Sequence, residues 1–352
     1  MANFKIKNVV LSGLAVAVPK TRKVNLENLF FSKEDIGKFT TTTGVSEFRI
    51  ADKSTTSSDL GFEAAQKLIL EMDIDKKDID VLIFVSQTPD YLNIPNTAPQ
   101  LQNKLGLSKN CIAFDLSLGC SGFIYGLSTL ASFMQNPAFK KGLLICGDTI
   151  SKIVNPEDKS TALLFGDAAS AVVLKRKEND SEMQFNLGCD GSGYKAIIVN
   201  DGGSRNPFNA NSLHVVDHGD GIKRNQCELV LDGMDVFGFG INQAPKTFRE
   251  LCDFAKISNK EIDFAIFHQA NKMMNEMIRK KLKLEKEKVP YSLDKFGNTS
   301  SASIPVTMVT ELKNQLRNGK NKLLLCGFGV GLSWGSCYFT TEKLTVLDLI
   351  EI

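Results

Sequence analysis

The chain has 352 residues, 43% of them hydrophobic and 23% charged, which is ordinary for a globular protein and enough for a sizeable core. Forty-two basic residues against 40 acidic ones leave a formal net charge of +2, which offers no electrostatic basis for binding nucleic acid. No apolar run approaches the length of about 18 residues needed to span a membrane, so neither a membrane helix nor membrane association is expected.

The first ten residues read as a short apolar strand interrupted by Lys5 and Lys7, without the apolar core and cleavage site of a secretory signal. Ser58 to Met72 sets Leu60, Ala64, Leu68 and Met72 at helical spacing. Ala113 to Leu118 is an extended apolar stretch that ends at Gly119. Cys120 then opens a helical pattern through Ile124, Leu127, Leu130 and Phe133. A thiol in the first turn of a helix meets unpaired backbone N–H groups and the positive end of the helix dipole, both of which favour the thiolate. Gly119 and Gly122 permit a sharp turn around it. A nucleophile on a strand–turn–helix elbow suits covalent acyl chemistry, with a buried structural cysteine as the alternative. The eight cysteines (111, 120, 146, 189, 227, 252, 326, 337) contain no CxxC pair and fit neither a zinc site nor a disulfide scaffold. Reduced thiols in a cytoplasmic protein are the simplest expectation.

The two halves of the chain resemble each other. Lys77 to Phe84 reads KDIDVLIF and Lys260 to Phe267 reads KEIDFAIF, an offset of 183 (77 to 260). Lys141 to Gly147 likewise resembles Asn321 to Gly327, an offset of 180 (147 to 327). Continuous Val/Ile/Leu/Phe strands alternating with amphipathic helices imply sheets buried on both faces. The predicted organisation is residues 1–177 as a first α/β half, 178–226 as a Gly/Asn/Asp-rich excursion, and 227–352 as a second half related to the first by pseudo-twofold symmetry.

The repeat also gathers a site. His268 follows the strand Phe264 to Phe267 and precedes a predicted helix after Asn271. An imidazole leaving a buried strand can donate a hydrogen bond or move a proton near neutral pH. Adding roughly 180 to Cys120 lands on the Gly297-Asn298-Thr299-Ser300 turn. Cys120, His268 and Asn298 are therefore expected at equivalent strand ends around one cleft, where open α/β sheets place their active sites. The glycine cluster Phe328-Gly329-Val330-Gly331 adds backbone N–H groups for an oxyanion.

The segments Asp115 to Gly122, Phe267 to Asn271, Gly297 to Pro305, Gly327 to Gly335 and Phe165 to Ala169 together resemble the motifs of β-ketoacyl-acyl-carrier-protein synthase III, in the same order and across essentially the whole chain. The resemblance implies a thiolase fold with a duplicated αβαβα core and a homodimer. It implies that Cys120 takes an acyl group from a thioester, and that His268 and Asn298 hydrogen-bond a malonyl thioester as it loses CO₂. The backbone N–H groups of Cys120 and Val330 would hold the oxyanion. No metal or organic cofactor is implied; the partners are an acyl carrier protein and coenzyme A thioesters. Ile94, Phe328, Asn271 and Lys159 fall at substrate-binding positions of the family, and Arg279, Lys280 and Lys281 form a candidate basic face for carrier docking.

Some positions depart from the family. Lys38 and Thr42 stand near the Trp and Arg that flank adenine in coenzyme A-dependent members, and Lys159 replaces a further Arg. Losing a stacking ring and two guanidinium groups weakens a nucleotide site and favours a carrier-bound acyl donor. Ile94 stands where relatives have a Phe that enters the partner's acyl pocket, so a longer or branched chain is expected to fit. A non-decarboxylating hydroxymethylglutaryl-coenzyme A synthase would need a Glu near Val85 to Pro89, where none is present. A cysteine thioester hydrolase is the alternative of a different class.

Overall fold

The structure, a computed structural model, describes residues 2–92, 94–178 and 181–352. Strands β1 (Ala2–Lys7) and β2 (Val9–Val18) come first, followed by a ribbon of β3 (Arg22–Val24) and β4 (Glu47–Arg49) around helix α1 (Lys33–Thr43). Then come α2 (Ser57–Glu71), β5 (Ile79–Val85), α3 (Thr97–Leu105), β6 (Ile112–Leu116), α4 (Gly122–Phe133), β7 (Lys141–Asp148) and β8 (Ala168–Arg176). Helix α2 starts at a capping box between Thr56 and Asp59 and buries Leu60, Ala64 and Leu68, as their spacing predicts. Strand β5 is buried along nearly its whole length, as its unbroken apolar sequence requires.

Strand β9 (Glu182–Cys189) leads into two small ribbons, β10 (Ile197–Ile198) with β13 (Val230–Leu231) and β11 (Val216–Asp217) with β12 (Lys223–Arg224). The second half follows as α5 (Gly233–Ala255), β14 (Phe264–Phe267), α6 (Lys272–Leu282), α7 (Leu293–Phe296), α8 (Ser303–Glu311), α9 (Lys313–Asn318), β15 (Asn321–Gly329) and β16 (Ser333–Thr341). Short strands β17 (Thr345–Val346) and β18 (Ile350–Glu351) come last. The helical stretch from Ser303 to Asn318 is broken at Leu312, which caps α8 and begins α9.

The sheet of the first half runs β17-β2-β8-β7-β5-β6, and that of the second runs β1-β9-β16-β15-β14. In both, one pair is parallel (β5 with β7, β14 with β15) and the next strand along the sheet is antiparallel to it (β8, β16), so the sequence repeat is a repeat of topology. Helices α4 and α8 lie between the sheets, in a core that includes Phe123, Ile124 and Leu127 beside Ile304, Val306 and Met308. Helices α2 and α3 cover the outer face of one sheet, and α5 and α6 that of the other. These are the five αβαβα layers of the thiolase fold.

The sheets do not respect the boundaries expected at 177 and 227. Strand β9, inside the expected excursion, is a half-buried strand pairing with both β1 and β16. Its alternate residues Met183 and Phe185 belong to the central core, which an irregular loop could not fill. The irregular part begins after Cys189.

Candidate active site

Cys120 occupies the turn between β6 and α4, where the Gly122 N–H donates to the Gly119 carbonyl at 2.7 Å. The next residue, Ser121, places its hydroxyl 2.7 Å from that of Ser333 and fastens the elbow to the start of β16. The elbow lies directly on β15. A Cβ at Gly327 would stand 2.9 Å from the Cys120 carbonyl oxygen, and one at Gly329 would stand 2.8 Å from Sγ. Close approach of the two backbones therefore demands glycine at both positions.

His268 leaves β14 with its N–H donating to the Cys326 carbonyl at 2.8 Å. Its Nδ1 lies 2.7 Å from the Ser303 hydroxyl at the start of α8, and its ring meets Phe328 edge-on at 5.7 Å. Burial pushes the imidazole down to about 3, with the Ser300 backbone opposing it, so His268 is neutral at physiological pH. Asn298 is held by a bridge to Phe165: its N–H donates to the Leu164 carbonyl at 2.9 Å and its carbonyl accepts from Gly166 at 3.1 Å. Its side-chain Oδ1 accepts the Ser300 N–H at 2.9 Å, which leaves the amide N–H₂ as the unused end.

Cys120, His268 and Asn298 line one cavity of about 250 Å³, together with Gln87, Asn271, Ser300, Phe328 and Val330. Its remaining wall is apolar. The cleft predicted from the repeat is thus formed from both halves, and Val330, Asn271 and Phe328 share it. The thiolate preference expected for Cys120 is not met. Desolvation, followed by the nearby Asp148 carboxylate, pushes the thiol up to about 11, outweighing the Val330 N–H, the Ser300 hydroxyl and the Cys120 N–H. Cys326, buried within β15, is a core thiol.

Other expected site residues lie away from the cavity lining. Lys159 Nζ pairs with Asp35 at 2.6 Å, and Lys38 pairs with Glu34 on the exposed face of α1. Ile94 is 83% exposed, so it takes no part in this chain's own cavity. On α6, Arg279 is bound to Glu276 and the Leu284 carbonyl, and Lys281 to the Ile241 carbonyl and Asn242. Lys280 is exposed. No group of three or more His, Cys, Asp or Glu among the described residues is placed to hold a metal, and no helix among them is long and apolar enough to cross a membrane.

The sequence reading missed several residues. Ile197, Ile198, Val199, Leu229 and Leu231 from the irregular segment form much of the apolar wall. Their signal was present as short apolar punctuation in a Gly/Asn/Asp-rich stretch. Ser303, which holds the His268 ring, lies within the Gly297 to Pro305 motif without a role of its own there, and Asp148, at the end of β7, lies in no motif.

Comparison with known proteins agrees with this architecture. Residues 114–191 match the family described as 3-oxoacyl-[acyl-carrier-protein] synthase III, and residues 252–341 match its C-terminal part. A putative 3-oxoacyl-[acyl-carrier-protein] synthase 3 of Campylobacter jejuni is 35% identical over 349 residues, covering 97% of this chain and 96% of the relative. A β-ketoacyl-[acyl-carrier-protein] synthase III of Caldanaerobacter subterraneus is 37% identical over 305 residues, covering 86% and 89%. The crystal structure of a 3-oxoacyl-(acyl-carrier protein) synthase from Burkholderia xenovorans superposes with a TM-score of 0.93 at 36% identity, covering 100% of this chain and 99% of that one. A fold, a cleft and a pair of sequence matches that all coincide make this chain a member of the 3-oxoacyl-[acyl-carrier-protein] synthase III family, a condensing acyltransferase.

Proposed function

We propose that the protein extends an acyl group by two carbons through a decarboxylative Claisen condensation, in fatty-acid or specialised acyl-chain synthesis. The observation that carries this reading is a cysteine and two neutral donor side chains, His268 and Asn298, facing one apolar cavity. Cys120 sulfur attacks the donor thioester carbonyl, and the bond to the carrier sulfur breaks. The thiol proton passes to the departing thiolate. A malonyl thioester then enters and its C–C bond to the carboxylate breaks, releasing CO₂ and leaving the electron pair in an enolate. The enolate carbon bonds to the acyl carbonyl carbon, and the Cys120 thiolate departs and is reprotonated.

Neutral donors suit the enolate step because they stabilise negative charge without first forming an ion pair with the malonyl carboxylate. In the tautomer where Ser303 donates to Nδ1 of His268, the other ring nitrogen carries its proton toward the thioester oxygen, alongside the Asn298 amide. Preorganised donors of this kind each contribute about 3 kcal/mol to a barrier. The backbone N–H groups of Cys120 and Val330, already directed at the sulfur, are the donors for the tetrahedral oxyanion.

The extender carrier is an acyl carrier protein, the partner that the relatives' names specify. For the acyl donor, Lys38, Thr42 and Lys159 offer neither a stacking ring nor a guanidinium, so a carrier-bound thioester is favoured over coenzyme A. Lys280, exposed on α6, remains available for an acidic carrier, whereas Arg279 and Lys281 are engaged. The enzyme works in the cytoplasm as a homodimer, with the exposed Ile94 loop reaching the second copy. The thioesters supply every electron and solvent supplies the proton that restores the Cys120 thiol, so no cofactor is needed.

Intact-protein mass spectrometry after incubation with acyl-coenzyme A and acyl-carrier thioesters, followed by malonyl-carrier, tests the reading. A mass gain on Cys120 that discharges into a 3-ketoacyl thioester is the expected result. Discharge to free acid would replace this reading with the hydrolase.

A further inference from the structure

Asp148 is a fully buried carboxylate at the last residue of β7. Its two oxygens face different halves of the molecule. Oδ1 accepts from the loop after β5 alone: the Ser86 hydroxyl at 3.2 Å, the Gln87 N–H at 2.7 Å and the Thr88 hydroxyl at 3.4 Å. Oδ2 accepts from the second half alone: the Ser301 N–H at 3.1 Å and the Ser301 hydroxyl at 2.6 Å. Gln87, itself one of these donors, and Ser300, adjacent to Ser301, both line the catalytic cavity. Ser300 in turn gives its N–H to Asn298 Oδ1 and holds a left-handed backbone at φ 49°. One carboxylate thus joins the loop beside Cys120 to the turn that aims Asn298.

We propose that Asp148 is a positioning residue of the condensation, a buried carboxyl pin that holds the Asn298 turn in register with the Cys120 elbow across the seam between the two halves. The assignment of the reaction rests on the condensing activity proposed above; the placement of the pin rests on the hydrogen bonds alone. Every hydrogen-bond partner of Asp148 among the described residues donates to it. An amide at this position would turn an N–H₂ group toward donors on one side and leave them unpaired in a dry site. Burial pushes the Asp148 carboxyl up, against the Ser301 and Gln87 donors, and in its ionised form it helps hold the Cys120 thiol up. A residue that merely filled space there would leave the thiol's titration unaltered.

The test compares Asp148→Asn and Ser301→Ala with the unaltered enzyme in three readouts: acyl-Cys120 formation, malonyl-carrier decarboxylation, and alkylation of Cys120 by iodoacetamide against pH. Asp148→Asn is expected to lower decarboxylation by about 100-fold, the cost of misplacing a preorganised donor, with a much smaller loss in acylation. It is also expected to move the alkylation profile down by about one pH unit. Ser301→Ala keeps the charge, so it is expected to lower decarboxylation by about 10-fold with the alkylation profile unmoved. Equal losses in both half-reactions, or an alkylation profile unchanged by Asp148→Asn, would overturn the proposal. If Asp148→Asn does not fold, Ser301→Ala decides alone, and an equal or absent effect on the two half-reactions overturns it. An unaltered enzyme that forms no acyl-Cys120 would overturn the condensing reading instead, while the alkylation comparison still judges the pin.

Discussion

The two halves of the molecule place different chemistry on the same frame. Aligned through the LLICGD and LLLCGF strands, Asp148 at the end of β7 corresponds to Phe328 at the end of β15. Aligned through KDIDVLIF and KEIDFAIF, Val85 corresponds to His268. The first half contributes a nucleophile, an apolar neighbour and a buried carboxyl. The second contributes an imidazole, a carboxamide and an aromatic ring. Duplication therefore fixed where side chains stand around the cleft, and divergence at those places separated the group that is acylated from the groups that stabilise charge.

The comparison breaks most completely at the nucleophile. Cys120→Ala is expected to abolish the acyl-enzyme and lower condensation by at least about 10⁴-fold, while leaving the second half able to decarboxylate malonyl-carrier; intact mass and CO₂ release read the two separately. His268→Ala and Asn298→Ala are expected to do the reverse, lowering decarboxylation by about 10²–10³-fold with acylation largely kept. Equal loss in both half-reactions would sink the division of labour. Gly329→Ala puts a methyl 2.8 Å from the Cys120 sulfur, and we expect about a 10-fold slower acylation with decarboxylation less affected.

Acid sharpens the contrast. The folded-state value of His268 lies near 3, below the ordinary 6.5, so on acidification the unfolded chain takes up the proton first. The stability held above about 6.5 is therefore lost progressively as pH falls toward 3, and His268→Ala is expected to flatten that part of the melting curve. Decarboxylation should show no histidine inflection between about pH 6 and 8, because the ring stays neutral there. Cys120 alkylation should still be rising above pH 9, toward its value of about 11. The smallest effect belongs to Ile94→Ala: with the side chain 83% exposed, the change in stability should fall within about 0.5 kcal/mol, and a shifted acyl-chain preference would mark the loop's reach into a second copy.

Much of this arrangement was legible before the coordinates. Cys120, His268 and Asn298 were found because a repeat offset and local elbow motifs are properties of the chain in one dimension. The central strands were legible because burial on both faces forces unbroken apolar runs, as in β5 and β15. What escaped was whatever depends on two distant segments meeting. Asp148 looks like any aspartate after a strand until Ser301, 153 positions away, is brought onto it. The Cys120 titration was misjudged for a related reason: helix-terminal N–H groups are visible in sequence, whereas the desolvation that overrides them is created by β15 closing over the thiol. Strand β9 was mistaken for excursion because its Gln, Asn and Gly residues dilute the apolar alternation.

The two sheets exchange their outermost strands. β1, at residues 2–7, completes the sheet of the second half against β9, whereas β17 and β18, at residues 345–351, complete that of the first half against β2. Each half thus borrows an edge from the far end of the chain. During synthesis, the β2 edge stays open for more than 300 residues, exposed to mispairing with other chains, until the polypeptide that covers it has been made. A fragment cut between the halves would lose an edge strand from both sheets. The cavity draws Cys120 from one half and His268 and Asn298 from the other, so it is complete only once both halves have been made.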